Sequence, residues 1–124
     1  MLYIILILAI LYLYYNNISQ NKDKSTKLSV YEFSNKIKQN DFDYLLDVRT
    51  PEEWNLGHHQ KAILVPIGYF VTKLPKIITN KNSKILLYCK KGIRAEASAK
   101  IAERLNYNNI FWLDGTWEEL KQIV

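Results

Sequence analysis

Thiols are almost absent from this chain, which carries a single cysteine, Cys89, among 124 residues. One cysteine closes no internal disulfide, so the redox compartment stays open and the purpose of Cys89 becomes the question. Glycine and proline are also scarce, at four and three, which excludes collagen-like and low-complexity classes. Metal ligands are few: His58 and His59 have no Cys or Asp at ligand spacing, so no metal is expected. The formal net charge is +5, but the basic residues form no stripe interleaved with aromatics, and nucleic acid is not an expected partner. The lysines read as a solvated surface, with attraction to membrane headgroups open to residues 22–27.

No charged side chain precedes Lys22, and residues 1–15 (MLYIILILAILYLYY) are apolar or tyrosine throughout. An 18-residue helix reaches roughly 27 Å, slightly short of a hydrocarbon core of about 30 Å. Tyr12, Tyr14 and Tyr15 stand where an interfacial aromatic belt would place them. A cleaved signal would need a basic n-region and a small-residue cleavage site, and neither is present. The expectation is a transmembrane anchor or uncleaved signal over residues 1–18 and a single-pass membrane protein. Lys22, Lys24 and Lys27 place the following domain on the cytoplasmic side by the positive-inside rule. An exported, processed chain and a buried core helix are the alternatives.

Residues 19–27 (SQNKDKSTK) are polar with no apolar period and read as a linker to a domain over 28–124. There, strand-like and helix-like segments alternate. Ser29 and Glu32 form a capping box ahead of a helix near 30–39, with Val30, Phe33 and Ile37 at helical spacing. Residues 44–48 and 62–65 suit short buried strands, and Thr50-Pro51-Glu52-Glu53 opens a short helix. A helix is expected over 69–78, ended or bent by Pro75. KILLY, residues 84–88, is the clearest central strand, and 93–105 the clearest helix, with Asn106 in a left-handed C-cap position. A strand over 110–113 and a helix over 116–123 complete the chain. Such alternation implies an α/β domain with a parallel sheet covered on both faces, and ligands at the carboxyl ends of its strands.

Cys89 stands at the carboxyl end of KILLY and opens the run Cys89-Lys90-Lys91-Gly92-Ile93-Arg94, with a helix following at once. Taken alone, a cysteine beside an apolar run is a small buried hydrophobe. A strand–loop–helix turn, however, directs successive N–H groups inward and makes a concave anion nest. Sulfur held there is stabilised as thiolate by those donors and by the helix dipole. Gly92 allows a positive φ or a close backbone approach, Arg94 offers a fork of donors to an oxyanion, and Lys90 and Lys91 add positive potential.

The segment YCKKGIR, residues 88–94, resembles the active-site loop of the rhodanese family of single-domain sulfurtransferases. Leu46-Asp47-Val48-Arg49 with Glu53-Trp54 and Gly57-His58 resembles the family's first signature. Residues 105–110 (LNYNNI) with Leu113-Asp114-Gly115 and Trp117 resemble its C-terminal part. The likeness covers roughly residues 26–124. It implies a rhodanese-like three-layer domain and a relay of sulfane sulfur. The Cys89 thiolate would take the outer sulfur of an anionic donor such as thiosulfate as a persulfide, then pass it to cyanide or a thiol. Thiolate attack with a leaving anion is also what the residues themselves suggest. N–H donors of Lys90, Lys91, Gly92, Ile93 and Arg94 would hold the terminal sulfur. With no second thiol to resolve the persulfide, the acceptor is external.

Related phosphatases and arsenate reductases place five residues between Cys and Arg, whereas four separate Cys89 from Arg94 here, which favours sulfur over phosphate. The sequence departs from the family at Gly57-His58-His59-Gln60-Lys61-Ala62, at Asp114-Gly115, and at Ala95 after the loop arginine. Asp47 and Arg49 are expected to support the loop from a neighbouring strand end. His58 and His59 read as surface or supporting residues, and Trp54, Trp112 and Trp117 as core or cavity wall. The alternative function is a non-catalytic rhodanese-like module that presents a persulfide or recruits a partner at the membrane. No particular protein partner is indicated.

Overall fold

The computed structural model describes residues 1–20 and 24–124. Helix α1 spans Leu2–Gln20 and strand β1 Thr26–Leu28; α2 (Val30–Lys38), β2 (Tyr44–Asp47), α3 (Pro51–Asn55) and β3 (Ala62–Leu64) follow. A 3₁₀ turn at Ile67–Tyr69 leads into α4 (Phe70–Ile77), then β4 (Lys84–Tyr88), α5 (Ile93–Arg104), β5 (Asn109–Leu113) and α6 (Trp117–Lys121). The five strands form one parallel sheet in the order β1-β5-β4-β2-β3.

The period of two along β4 divides the core. Ile85, Leu87 and Cys89 face one layer with Phe70 and Leu74 of α4 and Ala95, Ala99 and Ala102 of α5. Leu86 and Tyr88 face the other, with Phe33 and Ile37 of α2 and Trp117 and Leu120 of α6. Strands buried on both faces must be apolar at every position, which is why KILLY is nearly continuous after its lysine. The alanines of α5 let that helix lie close to the sheet. The same alternation sends Cys89 towards α5, whose first turn then meets the sulfur.

Helix starts follow the sequence signals. Ser29 and Thr50 cap α2 and α3 in reciprocal boxes with Glu32 and Glu53, and Thr116 with Glu119 does the same for α6. Asn106 is left-handed at φ 70°. Two local expectations change. Pro75 does not stop α4, which continues to Ile77, because a proline six residues into an eight-residue helix removes a single N–H. The last two residues of the segment read as linker, Thr26 and Lys27, belong to β1, an edge strand that pairs with β5 and buries Leu28. Lys22 of that segment lies outside the described residues.

The expected membrane anchor is corrected. Among the described residues no helix is long and apolar enough to cross a membrane. The unbroken apolar stretch of α1, residues 2–15, is 14 residues, roughly 21 Å at 1.5 Å per residue against about 30 Å of hydrocarbon. Asn16 and Asn17 then interrupt it. The transmembrane helix therefore drops out of the fold class, and with it the membrane partner assigned to residues 1–18. The single-pass, cytoplasmic-side placement rested on that span and falls too. Nor is α1 a core helix, since its large apolar side chains from Leu2 to Tyr15 are exposed.

Candidate functional site

The site lies at the carboxyl edge of the sheet, where β2 and β4 end side by side with Asp47 paired to Tyr88. Val48 N–H donates to the Tyr88 carbonyl at 3.1 Å and carries the pairing one step further. Cys89 is 1% exposed. Its Sγ accepts hydrogen bonds from the backbone N–H groups of Gly92 at 3.1 Å and Ala95 at 3.3 Å. These donors belong to the cap and first turn of α5, where the helix dipole also favours negative charge. Gly92 sits at φ +99°, and a Cβ there would lie 3.3 Å from the Leu113 carbonyl oxygen. The turn therefore needs glycine both for its hand and for its fit against β5.

The loop is pinned from several sides. Trp117 N–H donates to the Lys90 carbonyl at 3.1 Å, and Glu96 N–H to the Gly92 carbonyl at 3.0 Å. A cavity of about 130 Å³ is lined by Cys89, Lys90, Lys91, Ile93 and Arg94. Cys89 and four of the five residues of the expected nest line this cavity; the fifth, Gly92, is with Ala95 a backbone donor that reaches Sγ. Arg94 points both Nη atoms at Glu53, at 2.6 and 2.9 Å. That pair, helped by Thr50 against some burial, holds the Glu53 carboxyl at about 2; the same bond to Glu53 holds Arg94 above its usual value.

Asp47 and Arg49 form a buried pair at the end of β2, opposite the end of β4 that carries Cys89. Arg49 Nε and Nη2 donate to the Asp47 carboxylate at 2.7–3.0 Å, and the Arg49 backbone N–H donates to the same group at 2.9 Å. The remaining guanidinium donors go to the carbonyls of Gly57 at 2.7 Å and Glu53 at 3.3 Å. Burial works against the Arg49 charge, but Asp47 outweighs it and keeps the guanidinium above its ordinary value. The cation also stands over the Tyr88 and Trp117 rings.

Tyr88 OH accepts from the His59 backbone N–H at 3.2 Å, and burial, with Asp47 nearby, pushes the phenol well up. His59 is buried and its Nδ1 accepts from Lys61 N–H at 3.0 Å; burial, then the Lys61 charge, depresses its basicity. His58 stacks on Trp54 with centroids 3.4 Å apart. Trp112 and Trp117 are buried walls. The residues not foreseen are Ala95 and Glu53. Ala95 acts through its backbone and has no side-chain signature, whereas Glu53 stood in a capping box and in the stretch resembling the family's first signature, with no sign there of its contact with Arg94.

Comparison with known proteins places the fold and the family. Residues 29–123 match the rhodanese-like domain family. A tRNA uridine(34) hydroxylase of Wigglesworthia glossinidia brevipalpis is 31% identical over 98 residues, covering 76% of this chain and 31% of that protein. This chain spans about a third of the length of the curated relatives it matches first. Among solved structures, a rhodanese-related protein of Thermoplasma volcanium superimposes with a TM-score of 0.65 at 24% identity, covering 78% of this chain and 91% of that one. A human single-domain sulfurtransferase superimposes with a TM-score of 0.66 at 18% identity, covering 77% and 95%. At those identities the two structures show a shared fold.

Proposed function

The chain belongs to the rhodanese-like domain family, and from that premise we propose that it is a sulfurtransferase that works through a Cys89 persulfide. The observation that carries the reading is that Sγ accepts from two backbone N–H donors while Cys89 lines a cavity together with Lys90, Lys91, Ile93 and Arg94. The thiolate attacks the outer sulfur of thiosulfate, a new S–S bond forms, and the old one breaks with sulfite leaving on the electron pair. Gly92 and Ala95 N–H groups face Sγ, the atom that carries the charge before the attack; afterwards the charge lies on the transferred outer sulfur. Cyanide or a thiolate attacks the terminal sulfur, takes it, and returns Cys89 to thiolate. No step calls for a metal, an organic cofactor or a general base. Hydroxylation of tRNA uridine, named for the relatives, belongs to proteins of which this chain spans about a third, and no residue here is assigned to it.

The test is the intact mass of the full chain after thiosulfate and then after cyanide. The expected result is a gain of one sulfur atom, absent in Cys89→Ser, and its loss to cyanide with release of thiocyanate. If neither thiosulfate nor an organic persulfide leaves an adduct on the native chain, the domain is a binding module and the enzymatic reading is wrong.

A further inference from the structure

Arg94 is the guanidinium that lines the Cys89 cavity, yet its two Nη atoms are engaged by a carboxylate of the chain itself. The pair is fork to fork, the geometry by which a free oxyanion would be held. Its side chains are only 30% and 23% exposed. Glu53 is moreover fixed from behind: its Oε1 accepts from the Thr50 backbone N–H at 3.0 Å and from Thr50 Oγ1 at 3.1 Å. An incoming oxyanion that sought Arg94 end-on would have to displace an anchored carboxylate. Lys90 and Lys91, the other cations lining the cavity, are exposed and hold an anion loosely.

We propose that Glu53 is a specificity-determining residue: by filling the fork of Arg94 it lowers the oxyanion affinity of the cavity and favours donors whose outer sulfur is taken by the backbone nest alone. This rests on the sulfurtransferase reading and narrows it to organic persulfides as the preferred donor class. With such a donor, the Cys89 thiolate attacks the outer sulfur of R–S–SH. A Cys89–sulfur bond forms, the donor S–S bond breaks, and R–S⁻ leaves with the electron pair while the proton stays on the transferred sulfur. No oxyanion seat is needed at any point.

Glu53→Gln tests this, because glutamine at the third helical position still completes the capping box while the carboxylate charge is gone. In the full chain, protection of Cys89 from iodoacetamide by inorganic phosphate needs no turnover. The phosphate concentration for half-protection is expected to fall about tenfold in Glu53→Gln, the worth of a charge-assisted hydrogen bond regained by the anion. KM for thiosulfate should fall with it, while KM for glutathione persulfide stays within about twofold. Glu53→Ala, which also empties the fork, must move phosphate protection the same way. Adding Arg94→Gln to Glu53→Gln must abolish the gain. Half-protection unchanged in both Glu53 variants, with far-UV circular dichroism showing them folded, overturns the proposal. Failure of the native chain to take sulfur from either donor would instead remove the sulfurtransferase reading, and the phosphate measurement would still judge Glu53.

Discussion

Replacing Arg49 by alanine should destabilise this domain more than any exposed substitution, and the size follows from what the side chain leaves behind. Asp47 is 0% exposed and Arg49 4% exposed. Both Asp47 oxygens accept from the guanidinium. In Arg49→Ala the only contact left to that carboxylate from residue 49 is the backbone N–H. Breaking a buried pair by removing one partner costs about 3–5 kcal/mol, because the other charge stays buried and uncompensated. The carbonyls of Gly57 and Glu53 lose a donor as well. For a domain of this size each kcal/mol moves Tm by about 4–8 °C, so a fall of at least roughly 12 °C is expected. Thermal and urea unfolding of the full chain by circular dichroism measure it, and the m-value should hold if the loss is in stability alone. Arg49→Lys keeps a charge but not the fork and should fall in between. The paired change Asp47→Leu with Arg49→Met removes both charges at similar volume and should cost less than Arg49→Ala. A loss below about 1 kcal/mol in Arg49→Ala, or a paired variant less stable than the single one, refutes the reasoning.

Gly92→Ala forces a side chain into left-handed backbone and against the Leu113 carbonyl, at a cost of about 1–2 kcal/mol; it should also slow persulfide formation from thiosulfate at least about tenfold by shifting a Sγ donor, and an unchanged single-turnover rate would contradict the nest. The carboxyl of Glu53 is held at about 2 by Arg94, below its ordinary 4.5, so its contribution is complete above pH 4.5 and is lost as pH falls towards 2. Asp41, paired with Lys84 and Lys36, titrates in the same window, so the difference between native chain and Glu53→Gln in urea titrations from pH 5 to 2 isolates Glu53; parallel acid limbs would sink the assignment. Tyr107→Phe leaves the buried Ile78 carbonyl without its 2.5 Å donor and should cost about 1–2 kcal/mol in urea unfolding, and a neutral substitution would show that the bond contributes nothing net.

How much was legible in the sequence depended on how local the cause was. KILLY was readable because burial on both faces leaves it one composition, and the Ser29 and Thr50 boxes because a cap and its partner lie three residues apart. The neighbouring ends of β2 and β4 followed from alternation of strand and helix, since parallel strands gather their carboxyl ends on one edge. Strand β1 was hidden because Thr26 and Lys27 are exposed and polar; what makes it a strand is the free edge of β5, a long-range fact. The contact of Glu53 with Arg94 spans 41 positions, and nothing in either neighbourhood announces the other. The apolar run at the N-terminus misled in the other direction: composition suggested a span, and helical rise makes 15 apolar residues too short for one.

Glu53 shows how the division of labour in the site arises. Its carbonyl accepts from Arg49, its carboxylate grips Arg94, and its place in α3 is fixed by the Thr50 cap. One residue therefore ties the buried ion pair at the end of β2 to the nucleophile loop at the end of β4. The donors that face Cys89 come from the backbone of that loop and survive any side-chain change that leaves its path intact. In the proposed sulfur transfer, contact with the sulfur thus falls to the strand–loop–helix path, while selectivity among anions falls to the side chains that surround it. Substitutions at Lys90 or Lys91 should accordingly act on donor capture, and those that bend the path at Gly92 on the reactivity of the sulfur itself. A site built this way can change its donor without rebuilding its chemistry, because the groups that recognise the donor are not the groups that hold the charge.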